Sequence, residues 1–201
     1  MSLEFETRLL KLTSERRKIL ADAEALLANE RRKLDVERYF DIDNLCTPEI
    51  RKVASTTLST YRKQLVVEKS FYAEFHSSFV ADVMALTDEL SESDRAKVLS
   101  RCIPGLEENN ALRMEINLEK GHAASKLENL IDLLDRNRVS VKNSEAQIEL
   151  HSESDFIELQ RLTSELDYHL ENQHSLAMQQ RKRGVDGQRF LERLFNLFKN
   201  A

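Results

Sequence analysis

The scarcity of glycine and proline is the feature that most restricts the fold of this chain. Its 201 residues include only four glycines and two prolines, and neither residue type occurs between Gly121 and Gly184. Sandwiches and barrels need such residues at their many turns, whereas long helices exclude them from their interiors. Charged residues of mixed sign make up 32% of the chain and aromatic residues only 6%, a profile typical of long amphipathic helices. We therefore predict an all-α protein.

Apolar spacing and capping residues divide the first half of the chain into helices. A 4-3 apolar stripe predicts a first helix from about Ser2 to Phe40, with the buried residues Phe5, Leu9, Leu12, Ile19, Ala23 and Leu26. Thr47 as N-cap and Pro48 at the first helical position predict a second helix, which extends to about Leu90. Its aromatic ridge is expected to pack in the core and consists of Phe71, Phe75 and Phe79.

The second half of the chain allows two architectures. Ser91 is expected to cap a short helix that ends before Pro104 and Gly105, after which helix resumes at Leu106. In the first architecture the chain turns between Asn137 and Ser144, and Ser144 with Gln147 forms a capping box for the next helix. In the second, one helix of about 75 residues continues past the bundle and pairs with another copy. A shift of the apolar register between Ile148 and Leu159 favours the first, an elongated antiparallel bundle of about four long segments with coiled-coil character.

The C-terminal residues predict a short basic amphipathic helix on a glycine hinge. We expect residues 1–183 to form the bundle and residues 184–201 to form the hinge and this helix. Residues 181–199 include six basic and two acidic side chains, although the whole chain has a net charge of −5. The residues expected to contact a partner or a membrane are apolar (Phe190, Leu191, Leu194, Phe195, Leu197, Phe198) or basic (Arg181, Lys182, Arg183, Arg189, Arg193). The sequence leaves open whether this apolar face packs on the protein or on a membrane.

Composition also disfavours several classes of function. The acidic net charge argues against nucleic-acid binding. Cys46 and Cys102 lack metal or redox spacing, and the predicted helical hairpin holds them too far apart for a disulfide. Neither a signal peptide nor a run of about 18 apolar residues is present, so a cytoplasmic protein is expected.

Two Glu-x-x-His sequences are the strongest candidates for a metal site. Glu119-x-x-His122 and Glu171-x-x-His174 match the unit that di-iron bundles use, with further glutamates available at Glu24, Glu30, Glu68 and Glu74. Both matches would fall on the third and fourth segments, and Gly121 lies inside the first one. We therefore expect no catalytic, cofactor-binding or metal-binding residues and no cofactor.

The leading functional prediction is a non-enzymatic helical scaffold or adaptor that engages a protein partner or self-associates. One alternative is a peripheral membrane protein that binds anionic lipid through the C-terminal helix. Another is a di-metal carboxylate bundle enzyme, for which the histidine motifs are the only basis.

Overall fold

The computed structural model describes residues 3–45, 47–142 and 145–199, and within the last helix it describes side chains as far as Gly184. Four long helices account for most of this part of the chain: α1 (Leu3–Leu34), α2 (Pro48–Thr87), α3 (Glu92–Arg136) and α4 (Glu153–Lys199). The helices pack against one another, which confirms the predicted all-α bundle.

Ion pairs between neighbouring helices reveal the direction of each helix. Residue numbers rise on α1 as they fall on α2 in the pairs Arg16–Asp82 and Arg31–Glu68. Arg8 continues this trend by pairing with Glu89, two residues beyond the end of α2. The pairs that join α2 to α3 and α3 to α4 show the same reversal. Consecutive helices are therefore antiparallel, and the bundle has up-down-up-down topology.

The first helix ends at Leu34, earlier than the predicted Phe40. Asp35 adopts a left-handed conformation with φ 48°, which aspartate tolerates better than most residues. Short 3₁₀ helices then follow at Val36–Phe40 and Ile42–Leu45. This change of direction buries Val36, Tyr39 and Leu45 against the bundle, which a straight continuation of α1 would leave in solvent.

Side-chain caps begin α2 and α3 as predicted. The Thr47 hydroxyl accepts a hydrogen bond from the Ile50 amide at 3.3 Å, and Pro48 is the first helical residue of α2. The Ser91 hydroxyl accepts from the Asp94 amide at 3.3 Å and caps α3. These bonds satisfy amides that have no partner within the first helical turn.

The predicted break at Pro104 and Gly105 is wrong, because α3 continues through both residues. Proline inside a helix removes one backbone hydrogen bond and costs about 3 kcal/mol. Pro104 and Gly105 lie on the solvent side of the helix, where water can satisfy the freed Ser100 carbonyl. Packing of the 45-residue helix on α2 and α4 outweighs this local cost.

A β-hairpin separates α3 from α4 and confirms two helices instead of one of about 75 residues. Strand β1 (Arg138–Lys142) pairs antiparallel with β2 (Glu145–Glu149), and Val139 lies opposite Ile148. The predicted capping box at Ser144 and Gln147 is wrong, since α4 begins at Glu153. Its cap is Ser152, whose hydroxyl accepts from the Asp155 amide at 3.1 Å. The β-branched residues that weaken a helix here favour strand pairing.

The core is closed at the hairpin end of the bundle. It joins the 3₁₀ segments to α2 and α3 through Val36, Tyr39, Leu45, Ala54, Leu58, Tyr61, Leu65, Ala124, Leu127, Leu130, Ile131 and Leu134. Phe79 is buried and its neighbour Phe75 half-buried, with ring centroids 6.0 Å apart. The outer stripe of α1 is less buried than predicted, because Ile19 and Leu26 are 50% and 68% exposed. The helix α1 packs chiefly on α2, so one stripe of it has no covering element in the part of the chain that the structure describes.

The backbone of α4 passes through Gly184 and Gly187 without a break, whereas we predicted a hinge there. Gly184 has open space where a Cβ would lie, so no atom of the described residues requires glycine at this position. The division of the chain at residue 184 stays a prediction.

Candidate functional site

An apolar cavity of about 680 Å³ lies among the four helices, at the end of the bundle opposite the hairpin. Its lining runs along α1 from Glu6 to Leu20, a length of about 21 Å. Most of the wall surface is apolar and is formed by the side chains of Leu9, Leu10, Leu20, Tyr72, Phe75, Phe79, Val83, Val98, Cys102 and Leu106. The volume falls within the roughly 300–1,000 Å³ of ligand-binding pockets, and the lining has their usual apolar character.

Basic side chains predominate among the charged residues of this cavity. Five are basic (Arg17, Lys97, Arg101, Arg113, Arg183), and two are acidic (Glu6, Asp94). Three of the basic residues are in ion pairs, with Glu24, Asp94 and Glu108 as the partners. Arg17 and Arg101 are exposed and form no ion pair with any other described side chain. These pairings leave Arg17 and Arg101 as basic charges against the acidic Glu6, so the rim has a small excess of positive charge on a chain whose net charge is −5.

Tyr72 joins the cavity to a buried ionic layer in the middle of the bundle. Its hydroxyl donates a hydrogen bond to Glu68 Oε1 at 3.3 Å. The same oxygen accepts from Lys120 Nζ at 3.0 Å, and Glu68 Oε2 accepts from Arg31 Nη1 at 2.7 Å. Asn117 lies beside this group and donates to the Leu65 carbonyl at 3.1 Å. One carboxylate thus holds side chains from α1, α2 and α3 together.

Burial shifts the pKa values of two side chains in this layer, Lys120 and Tyr72. Burial lowers the pKa of Lys120, and the attraction of Glu68 offsets part of that effect. Burial and the nearby Glu68 carboxylate raise the pKa of Tyr72, so its phenol remains a hydrogen-bond donor. The layer joins two cations from α1 and α3 to one carboxylate of α2, so it acts as a crosslink between these three helices.

A second polar cluster lies between α3 and α4 and comprises Glu119, His122 and His169. One candidate ligand atom from each residue lies within 4.8 Å of the other two. Glu119 is buried, His169 half-buried and His122 exposed. His169 Nδ1 lies 2.6 Å from Glu119 Oε2, and the two imidazole ring centroids are 4.9 Å apart. Within the described residues, this is the one group of three such ligands close enough to share a metal ion.

The ligand set proposed from sequence for a di-metal centre does not come together. Glu119 and His122 lie in the α3–α4 cluster, but their neighbour is His169, not the Glu171–His174 pair, which is exposed. Of the additional glutamates, Glu68 is held by Lys120 and Arg31. Glu24 pairs with Arg113 and Glu30 with Lys33, while Glu74 is exposed.

The predicted C-terminal contact residues divide into described and undescribed side chains. Arg181, Lys182 and Arg183 are exposed on α4, and Arg183 pairs with Glu108 on α3. The remaining side chains lie outside the described residues: Arg189, Phe190, Leu191, Arg193, Leu194, Phe195, Leu197 and Phe198. Their contacts with a partner or membrane stay a prediction.

Of the two cysteines, Cys102 lines the cavity and Cys46 lies outside the described residues. Burial raises the pKa of the half-buried Cys102 thiol, and the Arg101 charge offsets this only in part. The predicted absence of a disulfide between them therefore stays a prediction.

Sequence reasoning did not find the cavity, the role of Lys120 or the part played by His169. Lys120 and Asn117 differ by three positions and so share a helical face, which was a detectable sign of a polar layer. The partnership of His169 with Glu119 spans 50 positions and leaves no local pattern.

No helix in the described part of the chain combines the length and the apolar character needed to span a membrane. Comparison with known proteins gives no match to any family model, curated protein or solved structure.

Proposed function

We propose that this protein is a non-enzymatic helical scaffold that binds a protein partner in the apolar cavity. The occupant that fits best is an amphipathic helix whose polar face is acidic. Helix-in-groove binding places apolar side chains at i, i+3, i+4 and i+7 between the walls of a groove. The observation that carries the proposal is the combination of an apolar cavity and a basic rim.

The length of the cavity agrees with such an occupant. The α1 side of the lining measures about 21 Å, which equals four turns of helix. The volume of about 680 Å³ accommodates the apolar side chains of one helical face, with the helix backbone remaining outside.

The positive charge at the rim of the cavity favours a partner with negative charge. Arg17 and Arg101 at the rim attract carboxylates and raise the rate of association with an acidic helix. The protein's own C-terminal segment is a poor occupant, because residues 181–199 have six basic and two acidic side chains. Like charges would face each other if a second copy inserted that segment.

A designed peptide tests the proposal directly. An 18-residue helix with leucine on one face and glutamate on the other would be titrated against the full chain, with fluorescence anisotropy as the readout. A second peptide with lysine in place of glutamate controls for apolar binding alone. We expect saturable binding of the glutamate peptide and at least about tenfold weaker binding of the lysine peptide.

Rim variants localise the binding. Arg17→Glu with Arg101→Glu should weaken binding of the glutamate peptide at least about tenfold, and neither exposed change should unfold the bundle. Arg32→Glu with Lys63→Glu is the matched control, since it also reverses two basic charges and both residues are exposed and outside the cavity. Equal effects of the rim and control variants would mean that the peptide binds elsewhere.

The alkylation rate of the Cys102 thiol measures occupancy of the cavity without any label on the partner. In a Cys46→Ser chain, the glutamate peptide should slow alkylation of Cys102, which lines the cavity. Protection by palmitate but not by the peptide would overturn the scaffold proposal in favour of a small-molecule site. The proposal also fails if no probe protects the thiol.

A further inference from the structure

We propose that Glu119, His122 and His169 form a binding site for one divalent transition-metal ion, with Zn²⁺ as the best-matched ion. Two imidazoles and one carboxylate are the donors that Zn²⁺ accepts, at bond lengths of about 2.0–2.2 Å. The site lies on the α3–α4 face of the bundle and is independent of the proposed function in the cavity.

Helix geometry brings the three donors together. Glu119 and His122 are three positions apart on α3 and therefore lie on one face of that helix, one turn apart. His169 on α4 faces them across the interface. A crosslink one turn further along, Lys126 to Glu165 at 2.6 Å, holds the two helices in this register. Ligands on packed helices keep their relative positions better than ligands on loops.

The side chains need only a small adjustment to bind an ion. Donor atoms bound to one Zn²⁺ lie about 3.3 Å apart in tetrahedral geometry, given the bond lengths above. In the structure His169 Nδ1 is 2.6 Å from Glu119 Oε2, as in a hydrogen bond, and the three donors all lie within 4.8 Å. These separations therefore need to change by no more than about 1.5 Å to reach the bound values.

Access and charge also favour a metal ion. The exposed His122 gives the cluster an opening to solvent, while Glu119 is buried and supplies a negative charge. The neighbouring cation Lys126 is paired with Glu165, and Lys120 bonds Glu68 on the opposite side of α3. Three protein ligands leave a coordination position for water or an external ligand.

Zinc titration of the purified full chain tests the site. We expect one equivalent of Zn²⁺ to bind in calorimetry and to raise the midpoint of thermal unfolding, because the ion binds only the folded arrangement. The key variant is His122→Ala, since His122 is exposed and its loss should leave the apo protein's midpoint nearly unchanged. Outer-shell changes cost 10–100-fold in metal affinity, so loss of this ligand should weaken zinc binding by at least about 100-fold.

The chain supplies its own matched control. His174→Ala removes a histidine from the second Glu-x-x-His sequence, which is exposed and outside the cluster. This variant should bind Zn²⁺ as the unaltered chain does. The single variants Glu119→Gln and His122→Ala should each fail to bind the ion. A visible Co²⁺ spectrum that disappears with His122→Ala would independently report ligation by the cluster.

Two results would overturn the proposal. The first is the absence of saturable Zn²⁺ binding to the unaltered chain at micromolar concentrations. The second is binding that survives both His122→Ala and Glu119→Gln, which would place the ion elsewhere and leave the Glu119–His169 contact as a hydrogen bond between two helices.

Discussion

Replacement of Glu68 by leucine should destabilise the bundle strongly, because it leaves a buried lysine without its partner. Glu68 accepts from Lys120, Arg31 and the Tyr72 hydroxyl. The Lys120 side chain is only 9% exposed and has little access to bulk water, whereas the Arg31 side chain is 26% exposed and can partly rehydrate.

The expected cost follows from these exposures. A hydrogen bond to a charged group contributes about 1.5–3 kcal/mol, and the Tyr72 bond to the Glu68 carboxylate, at 3.3 Å, falls at the low end of this range. With the Arg31 contribution reduced for its access to water, the loss should be about 3–5 kcal/mol, the range seen when one partner of a buried pair is removed. For a chain of this length that corresponds to a fall of roughly 6–20 °C in the unfolding midpoint.

Calorimetry and urea unfolding of three variants measure this effect. Glu68→Leu should show the full loss, and Glu30→Leu should change stability by less than about 1 kcal/mol, since the Glu30–Lys33 pair is exposed. The double variant Glu68→Leu with Lys120→Met should recover at least half of the loss, because it removes the stranded charge as well.

Two outcomes would refute this reasoning. A loss below about 1 kcal/mol in Glu68→Leu would mean that water reaches Lys120 in the folded protein. A double variant as unstable as the single one would mean that the loss came from packing and not from the unpaired charge.

Other predictions test particular elements. Gly184→Ala should stabilise the protein by about 0.5–1 kcal/mol in thermal unfolding, because α4 continues through this position and space is open for the Cβ; a destabilised variant would support a hinge instead. Leu127→Ala should cost about 2–5 kcal/mol in urea unfolding, since Leu127 is fully buried in the closed core. Thr47→Ala should cost about 1 kcal/mol by removing the cap of α2, and no change would mean that another group caps this helix. In a Cys46→Ser chain, Cys102 should be alkylated at pH 8 more slowly than an unstructured thiol, because its raised pKa reduces the thiolate fraction, and the rate should rise on unfolding.

The sequence by itself determined the helix boundaries that depend on interactions between neighbouring residues. Thr47 and Ser91 cap helices in the structure as their positions predicted, because a cap depends on a side chain and an amide three residues away. Weak helix formers between Asn137 and Ser144 correctly indicated that the chain turns there. The all-α class followed from the scarcity of glycine and proline along the whole chain.

Tertiary structure decided the features that depend on distant residues. Helix α3 continues through Pro104 because packing on two other helices compensates for the lost hydrogen bond, an energy that no local pattern contains. The chain turns inward after Leu34 because burial of Tyr39 and Leu45 stabilises this conformation. The contact between Glu119 and His169 also depends on tertiary structure, because the packing and register of α3 and α4 determine which side chains face each other. Local propensities act within a few residues, whereas burial and charge pairing act between segments far apart in sequence.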